Sequence, residues 1–269
     1  MRLKIGASIV IIAALAAMVG PLVTPFDPAA QELSRRLAGP GALHPFGLDE
    51  LGRDIMARVL AGARISFLVG VTVVTASAVI GTLMGAVAGY FGGRVDDLIS
   101  WVIDTFMAFP GLLLAIALVA VLGPSLGNVL YALTIIGWVG YARLVRGQVL
   151  RVREFDYVQA ARAAGATAPR VLFRHIVPAA WPAVFVQATL GMAGAVVGEA
   201  SLSFLGLGVQ PPTPSWGTML SGGRAHLLDA PHLTLFPGLA IALLVLGFNF
   251  LGDGLRDLAD PKRQGGTAT

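Results

Sequence analysis

The chain has 269 residues, of which 56% are hydrophobic and only 13% are charged. A soluble domain carries about 25% charged residues, so this composition predicts a membrane protein. The sequence has no cysteine, which excludes disulfides, thiolate metal sites and cysteine nucleophiles. The net charge is only +4, and we expect the lipid bilayer as a partner and no nucleic acid.

Six stretches are apolar and long enough to cross a bilayer, which takes about 20 helical residues. They are Ile5–Val23, Ile65–Tyr90, Trp101–Leu122, Val129–Val145, Ala183–Leu207 and Leu233–Leu251. Arg2 and Lys4 precede the first stretch, as in a secretory signal peptide. That stretch is long for a signal peptide, however, and no convincing small-x-small cleavage site follows it. We therefore expect a retained anchor helix and an all-α membrane protein with six transmembrane helices.

The distribution of basic residues predicts the orientation of these helices. With the N-terminus inside, 13 of the 19 basic residues fall on the inner side and 6 on the outer side, in agreement with the positive-inside rule. Both termini are then cytoplasmic. We expect an anchor helix and an outer-face amphipathic segment in residues 1–63, a transmembrane core in 64–256 and a cytoplasmic tail in 257–269. From His44, the outer segment reads as a polar turn leading into an amphipathic helix at the membrane surface.

Two sets of glycines lie on single helix faces within predicted spans. The second span holds the first set and the fifth span the other, which together are Gly81, Gly85, Gly89, Gly191, Gly194 and Gly198. Small residues at this spacing allow helices to pack closely, so we expect contacts with other helices of the chain or with a sister subunit.

Polar side chains inside spans are costly and mark candidate functional positions. Glu199 lies sixteen residues after Ala183, roughly 24 Å along a helix, in the outer half of the bilayer. It either lines a polar translocation pathway, together with Ser201 and Asn249, or is a buried structural carboxyl bonded to hydroxyls such as that of Ser201. Asp104 lies near the inner surface, where we expect it to face water.

The longest polar interruption in the second half of the chain runs from Glu154 to Pro178. Asp156 is predicted as a helix N-cap that forms a capping box with Gln159. The helix is predicted to run to Ala164 and to stop at Gly165, which suits a left-handed C′ position. After it, Thr167 is predicted to cap a second short helix with Pro169 in the first turn. Pro178 and Pro182 are expected to mark the entry to the next span.

The first of these short helices has one small apolar face. Its members share the helical spacing i, i+3, i+4 and i+7, and they are Tyr157, Ala160, Ala161 and Ala164. Such a face suits docking into a groove of another protein. The other interpretation is a surface pair of helices with no partner.

The spacing within this segment resembles the EAA loop of ABC importer permeases. Gln159-Ala160-Ala161 is followed by three residues, Gly165, nine residues and then His175-Ile176-Val177-Pro178. The family pattern has Glu-Ala-Ala at the start and Ile-x-Leu-Pro at the end, so Gln159, His175 and Val177 depart from it. The resemblance implies that this segment, including Asp156 and Arg162, forms coupling helices that sit in a cleft of a cytoplasmic ATPase.

A wider resemblance extends from about His44 to Pro261. The segment from His44 and the block Glu-Ala-Ser-Leu-Ser-Phe-Leu-Gly-Leu-Gly from Glu199 are similar to the dipeptide, oligopeptide and nickel branch of that family. The resemblance implies a type I importer permease in a bacterial inner membrane, working by alternating access. It also implies a similar second permease, two ATPases that bind ATP and magnesium, and an external binding protein. Dipeptides, longer peptides, glutathione and nickel all stay open as cargo.

Other classes of function have weaker support. The only lysines are Lys4 and Lys262, and neither lies in a phosphate-binding loop, so we expect no ATPase site and no cofactor in this chain. An ion-gradient-driven secondary transporter is the main alternative, although no internal repeat is evident. Ser125 lies in a formal Gly-x-Ser-x-Gly match without the strand–turn–helix context, which leaves an intramembrane serine protease as a remote alternative. The outer residues His226, Asp229 and His232 have a spacing too weak to predict a metal site.

Overall fold

The computed structural model describes residues 1–259, which contain ten α-helices and no β-strand. A π-helical turn over Leu172–Ile176 joins the seventh and eighth helices. The helices are α1 Arg2–Val23, α2 Ile55–Phe91, α3 Gly93–Met107, α4 Gly111–Leu122, α5 Leu126–Val152, α6 Asp156–Ala163, α7 Ala168–Val171, α8 Val177–Phe204, α9 Trp216–Gly223 and α10 His232–Ala259. Most of the predicted tail 257–269 lies outside the described residues.

The described helices provide six passes of the kind predicted. Five are long and apolar enough to cross a membrane, and α3 and α4 together form a sixth pass that is bent by 85°. The third span was predicted over Trp101–Leu122, and the structure divides it into the two helices α3 and α4. The chain leaves the helical conformation before Pro110, which is the N-cap of α4. A proline disfavours helical geometry in the residue before it, so the break falls where the sequence has this residue.

The prediction of an amphipathic helix at the membrane surface after His44 was also wrong. Helix α2 runs without interruption from Ile55 to Phe91, and the predicted surface helix forms its first turns. The Asp54 carboxylate caps α2 by accepting a hydrogen bond of 2.7 Å from the Ala57 N–H. Ile55 and Ala57 are buried, so these turns pack inside the protein instead of lying on lipid.

Helices α2, α5 and α8 form the centre of the bundle. Gly81 of α2 faces Tyr141 of α5, and Gly89 faces Val149, so α2 and α5 run in the same direction. Helix α8 runs the opposite way, because its Gly191 faces Tyr141 of α5 and its Gly198 faces the earlier residue Leu133. The C-terminal ends of α2 and α5 therefore lie at one end of the bundle, which also holds α6.

Pro211, Pro212 and Pro214 predict an extended, rigid segment between the last two spans, and this prediction was wrong. Between α8 and α9 the chain forms consecutive turns, with Gly206 at φ +79° and a cis bond between Pro211 and Pro212. The Val209 N–H donates to the Ser203 hydroxyl at 3.3 Å. This side-chain bond ties the start of the segment to the end of α8.

Candidate functional site

The coupling segment, residues 153–178, starts with a helix that is capped differently from the prediction. Phe155 occupies the N-cap position, and no side chain caps α6. Asp156 is already helical, so its carboxylate lies in the first turn, where it favours the positive end of the helix dipole. The Gln159 side chain donates to the Arg153 carbonyl at 2.9 Å. The predicted capping box between Asp156 and Gln159 was therefore wrong by one residue of register.

The end of α6 has the geometry that the sequence predicted. Gly165 has φ +83°, the left-handed conformation that glycine adopts most easily. The Gly165 N–H donates to the Arg162 carbonyl at 2.9 Å and the Ala166 N–H donates to the Ala161 carbonyl at 3.1 Å. These two bonds form a Schellman motif, which ends the helix and turns the chain toward α7. Thr167 occupies the N-cap position of α7, and Pro169 lies in its first turn.

The predicted docking face of α6 is largely uncovered in this chain. Val158 is fully buried and anchors the helix to the bundle, whereas Tyr157, Ala160 and Ala164 are exposed. Ala161 is half-buried. The Tyr157 hydroxyl donates to the carbonyl of His175 at 3.3 Å, which joins the two arms of the segment. The arrangement leaves a small apolar helix surface at one end of the bundle.

The second arm of the segment is continuous with the next membrane helix. Residues 168–204 form one helical rod, in which α7 passes through the π-turn directly into α8. The Val177 N–H closes the π-turn by bonding to the Leu172 carbonyl. Pro178 lies in the first turn of α8 and Pro182 lies inside it. Since Pro178 has no N–H, the α-helical bond to the Arg174 carbonyl cannot form, and the wider turn accommodates this loss.

A central cleft of about 380 Å³ lies among α2, α4, α5 and α8. Its polar groups are neutral, and within the described residues no charged side chain lines it. These polar residues are Ser77, Tyr141, Gln187 and Ser201. Ser77 and Tyr141 were not identified from the sequence. A serine inside an apolar span was a usable signal for Ser77, whereas Tyr141 had no comparable signal.

The residues predicted for the translocation pathway do not lie together. Ser201 lines the cleft, but Glu199 is fully buried away from it and Asn249 lies half-buried on α10. The Ser203 hydroxyl donates to a Glu199 carboxylate oxygen at 2.6 Å. The Ser201 hydroxyl donates instead to the Val197 carbonyl. Glu199 thus has a hydroxyl partner, as one of the two interpretations required, but that partner is Ser203.

The two glycine sets have different surroundings. A Cβ at Gly85 would overlap the Ala142 carbonyl, and one at Gly89 would lie 2.9 Å from the Arg146 carbonyl oxygen. Glycines of α2 therefore permit the close approach of α5. The set on α8, Gly191, Gly194 and Gly198, lines the cleft, and a Cβ at Gly194 would meet no atom within 4 Å. Gly194 therefore packs against no other described helix of this chain, and its contact with a sister subunit stays a prediction.

The remaining polar candidates have local partners. Asp104 forms an ion pair of 2.9 Å with Arg143. The Ser125 hydroxyl accepts a bond from the Asn128 N–H and so caps α5. The imidazole of His226 bonds to the fully exposed Asp229 carboxylate at 3.0 Å, and this bond lowers the pKa of Asp229 below its usual value. No group of three metal-ligating side chains occurs in residues 1–259.

A helical bundle with up to six membrane passes, a cleft among four helices and an exposed helical segment at one end defines the class of an all-α membrane protein. Residues 81–265 match the family model for the binding-protein-dependent transport system inner membrane component. The methionine ABC transporter MetNI, solved in inward-facing conformations, has a similar fold. Its TM-score is 0.56 at 19% identity, over 75% of this chain and 94% of that one.

Curated relatives are similar over most of their length. The chain is 49% identical to the dipeptide transport system permease protein of Alkalihalophilus pseudofirmus, over 92% of this chain and 82% of that protein. It is 43% identical to the probable D,D-dipeptide transport system permease protein of Escherichia coli K12, over 98% and 89% respectively. It is 47% identical to the glutathione transport system permease protein of Pectobacterium atrosepticum, over 83% and 74%. The chain belongs to the family of inner-membrane permease subunits of binding-protein-dependent ABC importers.

Proposed function

We propose that this permease imports short peptides. Two of the relatives described above carry dipeptide transport in their names, and a third is a glutathione permease. The cleft offers hydroxyls and one carboxamide, which hydrogen-bond to peptide groups without selecting the charge of a cargo side chain. Nickel is a weaker candidate, because the described residues place no imidazole or carboxylate in the cleft and such ligands are what a transition metal prefers.

In this proposal the coupling segment receives a mechanical input from a partner ATPase. The exposed apolar face of α6, with Tyr157, Ala160 and Ala164, would dock in a groove of that ATPase. Closure of the ATPases on ATP would displace the segment and change the access of the cleft from one side of the membrane to the other. A nucleotide shifts this equilibrium only if contacts at the segment differ between the two states.

The observation that carries this mechanism is the unbroken helical rod over residues 168–204. Its first turns, α7 and the π-turn, belong to the coupling segment, whereas Gln187, Gly191 and Ser201 in its second half line the cleft. A displacement at one end of a hydrogen-bonded helix is transmitted along its axis. The segment and one wall of the cleft are therefore parts of one mechanical element.

The proposed assembly contains a similar second permease, two ATPases that hold ATP and magnesium, and an external binding protein that selects the cargo. We propose that this chain has no ATPase site of its own, since its two lysines lie outside any phosphate-binding motif. The positive-inside distribution supports cytoplasmic termini and a cytoplasmic coupling segment.

The test is reconstitution of the purified chain with its companion subunits in lipid vesicles. We expect uptake of labelled Ala-Ala that requires both ATP and the binding protein, with labelled glutathione and Ni²⁺ as the competing cargoes. Preferential uptake of Ni²⁺ would reject the peptide assignment. Uptake driven by a proton or sodium gradient, with the ATPases absent, would reject the importer mechanism in favour of a secondary transporter.

A further inference from the structure

The coupling segment is attached to the end of α2 as well as to α8. The guanidinium of Arg162 lies 5.0 Å from the ring centroid of Tyr90, which is a cation–π contact. Arg153, at the start of the segment, donates to the Gly89 carbonyl at 3.0 Å. Both partners are in the last turn of α2, although they are separated from the segment by more than 60 residues of sequence.

These arginines contact the end of α2 beside the joint between α2 and α3, which we call the elbow. Gly92 and Gly93 join α2 to α3 with φ of +66° and +53°, and a Cβ on either would meet no atom within 4 Å. On the far side of this elbow, Asp96 of α3 forms a bidentate ion pair with Arg146 of α5. Arginines of the coupling segment thus hold the end of α2, and an arginine of α5 holds the start of α3.

Helix α2 also contributes a wall of the cleft. Val73, Val74 and Ser77 line it, and they lie about four turns before the residues that the arginines contact. Gly81, Gly85 and Gly89 keep α2 close to α5 along the intervening stretch. A displacement of the α2 end therefore reaches Ser77 through a closely packed helix.

We infer that Arg153 and Arg162 are positioning residues that fix the coupling segment to α2, so that its displacement reaches the α2 and α8 walls of the cleft together. This inference rests on the proposed coupling function. Arg162 then acts inside the chain, by holding α6 against Tyr90, in contrast to the exposed residues of α6 that dock the ATPase. Removing the contact is expected to leave docking of the ATPase intact and to raise the amount of ATP hydrolysed per imported dipeptide.

The first test measures whether α6 moves as one body with the elbow. The chain has no cysteine, so Ala163→Cys and Arg94→Cys place two spin labels specifically, on exposed sites of α6 and of the start of α3. We expect the same label-to-label distance in the complete transporter without nucleotide and after trapping with ATP and vanadate. In the background of Arg162→Ala with Tyr90→Leu, we expect a broader distribution whose mean differs between the two conditions. A wild-type distance that changes on trapping, or a double variant as narrow as wild type, would overturn the inference.

The second test compares ATP hydrolysis with Ala-Ala uptake in the same vesicles. For Arg162→Ala we expect the ATP hydrolysed per imported dipeptide to rise about two- to fivefold, the effect of losing a cation–π contact at a partly exposed site. Tyr90→Phe keeps the aromatic ring and should match wild type. Arg2→Ala is the control, because Arg2 is an exposed arginine outside the coupling segment with no hydrogen bond or ion pair within residues 1–259.

Co-purification separates the ways in which these tests can fail. If Arg162→Ala alone loses the ATPases, Arg162 belongs to the docking surface and the inference is overturned. If the wild-type chain itself never retains an ATPase, the proposed function fails, and this inference fails with it. If the ATPases are retained and the ATP-to-dipeptide ratio of Arg162→Ala equals that of wild type, only the inference is rejected.

Discussion

The indole Nε1 of Trp216 donates a hydrogen bond of 2.9 Å to the backbone carbonyl of Val59, across 157 residues of sequence. Trp216 opens α9 and is almost fully buried, and its ring lies against Gly62 of α2. This contact joins the start of α9 to the first turns of α2.

Loss of this contact is expected to destabilise the outer end of the bundle. Replacing Trp216 by alanine should lower the free energy of unfolding by about 3–5 kcal/mol, the usual cost of removing a buried aromatic side chain. Trp216→Phe, which loses the hydrogen bond and part of the ring, should cost about 1 kcal/mol or somewhat more. Thermal unfolding in detergent measures both. Trp181→Ala is the control, since 44% of Trp181 is exposed and its loss should have a much smaller effect.

Gly165 is expected to be replaceable only by a residue that tolerates a left-handed backbone. The space around it is open, so a substitution there is strained by its φ of +83° and not by a clash. Gly165→Val should cost about 1–2 kcal/mol locally and distort the turn, whereas Gly165→Asn should be close to wild type. We expect the valine variant to reach the membrane in normal amounts and to lose ATP-dependent uptake. Normal uptake by that variant would show that the turn geometry does not matter for coupling.

Replacement by alanine should have different effects on stability at two glycines inside spans. Gly85→Ala forces a Cβ into the Ala142 carbonyl, and overpacking of this kind costs about 1–3 kcal/mol. Gly194→Ala places its methyl in the open cleft, so stability should be unchanged while Ala-Ala uptake is altered. Thermal unfolding and vesicle uptake, measured on both variants, check the pair. Equal destabilisation by both would contradict the assignment of Gly194 to the cleft.

Gln187 supplies the one carboxamide of the cleft lining within the described residues. Replacing it by alanine removes a donor and an acceptor, so we expect weaker Ala-Ala uptake by about tenfold, the effect of one or two hydrogen bonds. Asn249→Ala removes the same functional group on α10, outside the cleft, and should leave uptake nearly unchanged. Initial rates over a range of dipeptide concentrations distinguish the two. Similar losses in both variants would mean that the cleft is not the route of the cargo.

The features that were predicted correctly depend on local sequence. Apolar length located the six passes, and the glycine at position 165 located the end of α6, because both properties are set by residues close together in the chain. Helical spacing alone could also have predicted the hydrogen-bond partner of Glu199. Ser203 lies at i+4 on the same helix face, whereas Ser201 at i+2 does not. That signal was present and was not used.

The features that were missed depend on distant contacts. The start of α2 is stabilised by Asp54, which also bonds to His44 at 2.8 Å, and by burial of its first turns against α9. The cleft requires residues of four helices to face one another, and a single sequence does not report how helices are rotated. The capping error at Asp156 is of another kind, since a shift of one residue changes which side chain can reach the helix end.

The flank formed by α3 and α5 has a consequence for handling this protein. Asp104 and Arg143 are bonded to each other there, yet 64% and 58% of their side chains stay open to the surroundings, on helices assigned to membrane passes. Near the inner membrane surface, where Asp104 was expected to face water, such a pair is solvated well by water and headgroups and poorly by acyl chains. Without its companion subunits, the protein is therefore poorly solvated on that side by a purely hydrocarbon environment. Detergent extracts of this chain alone should aggregate sooner than extracts of the intact assembly.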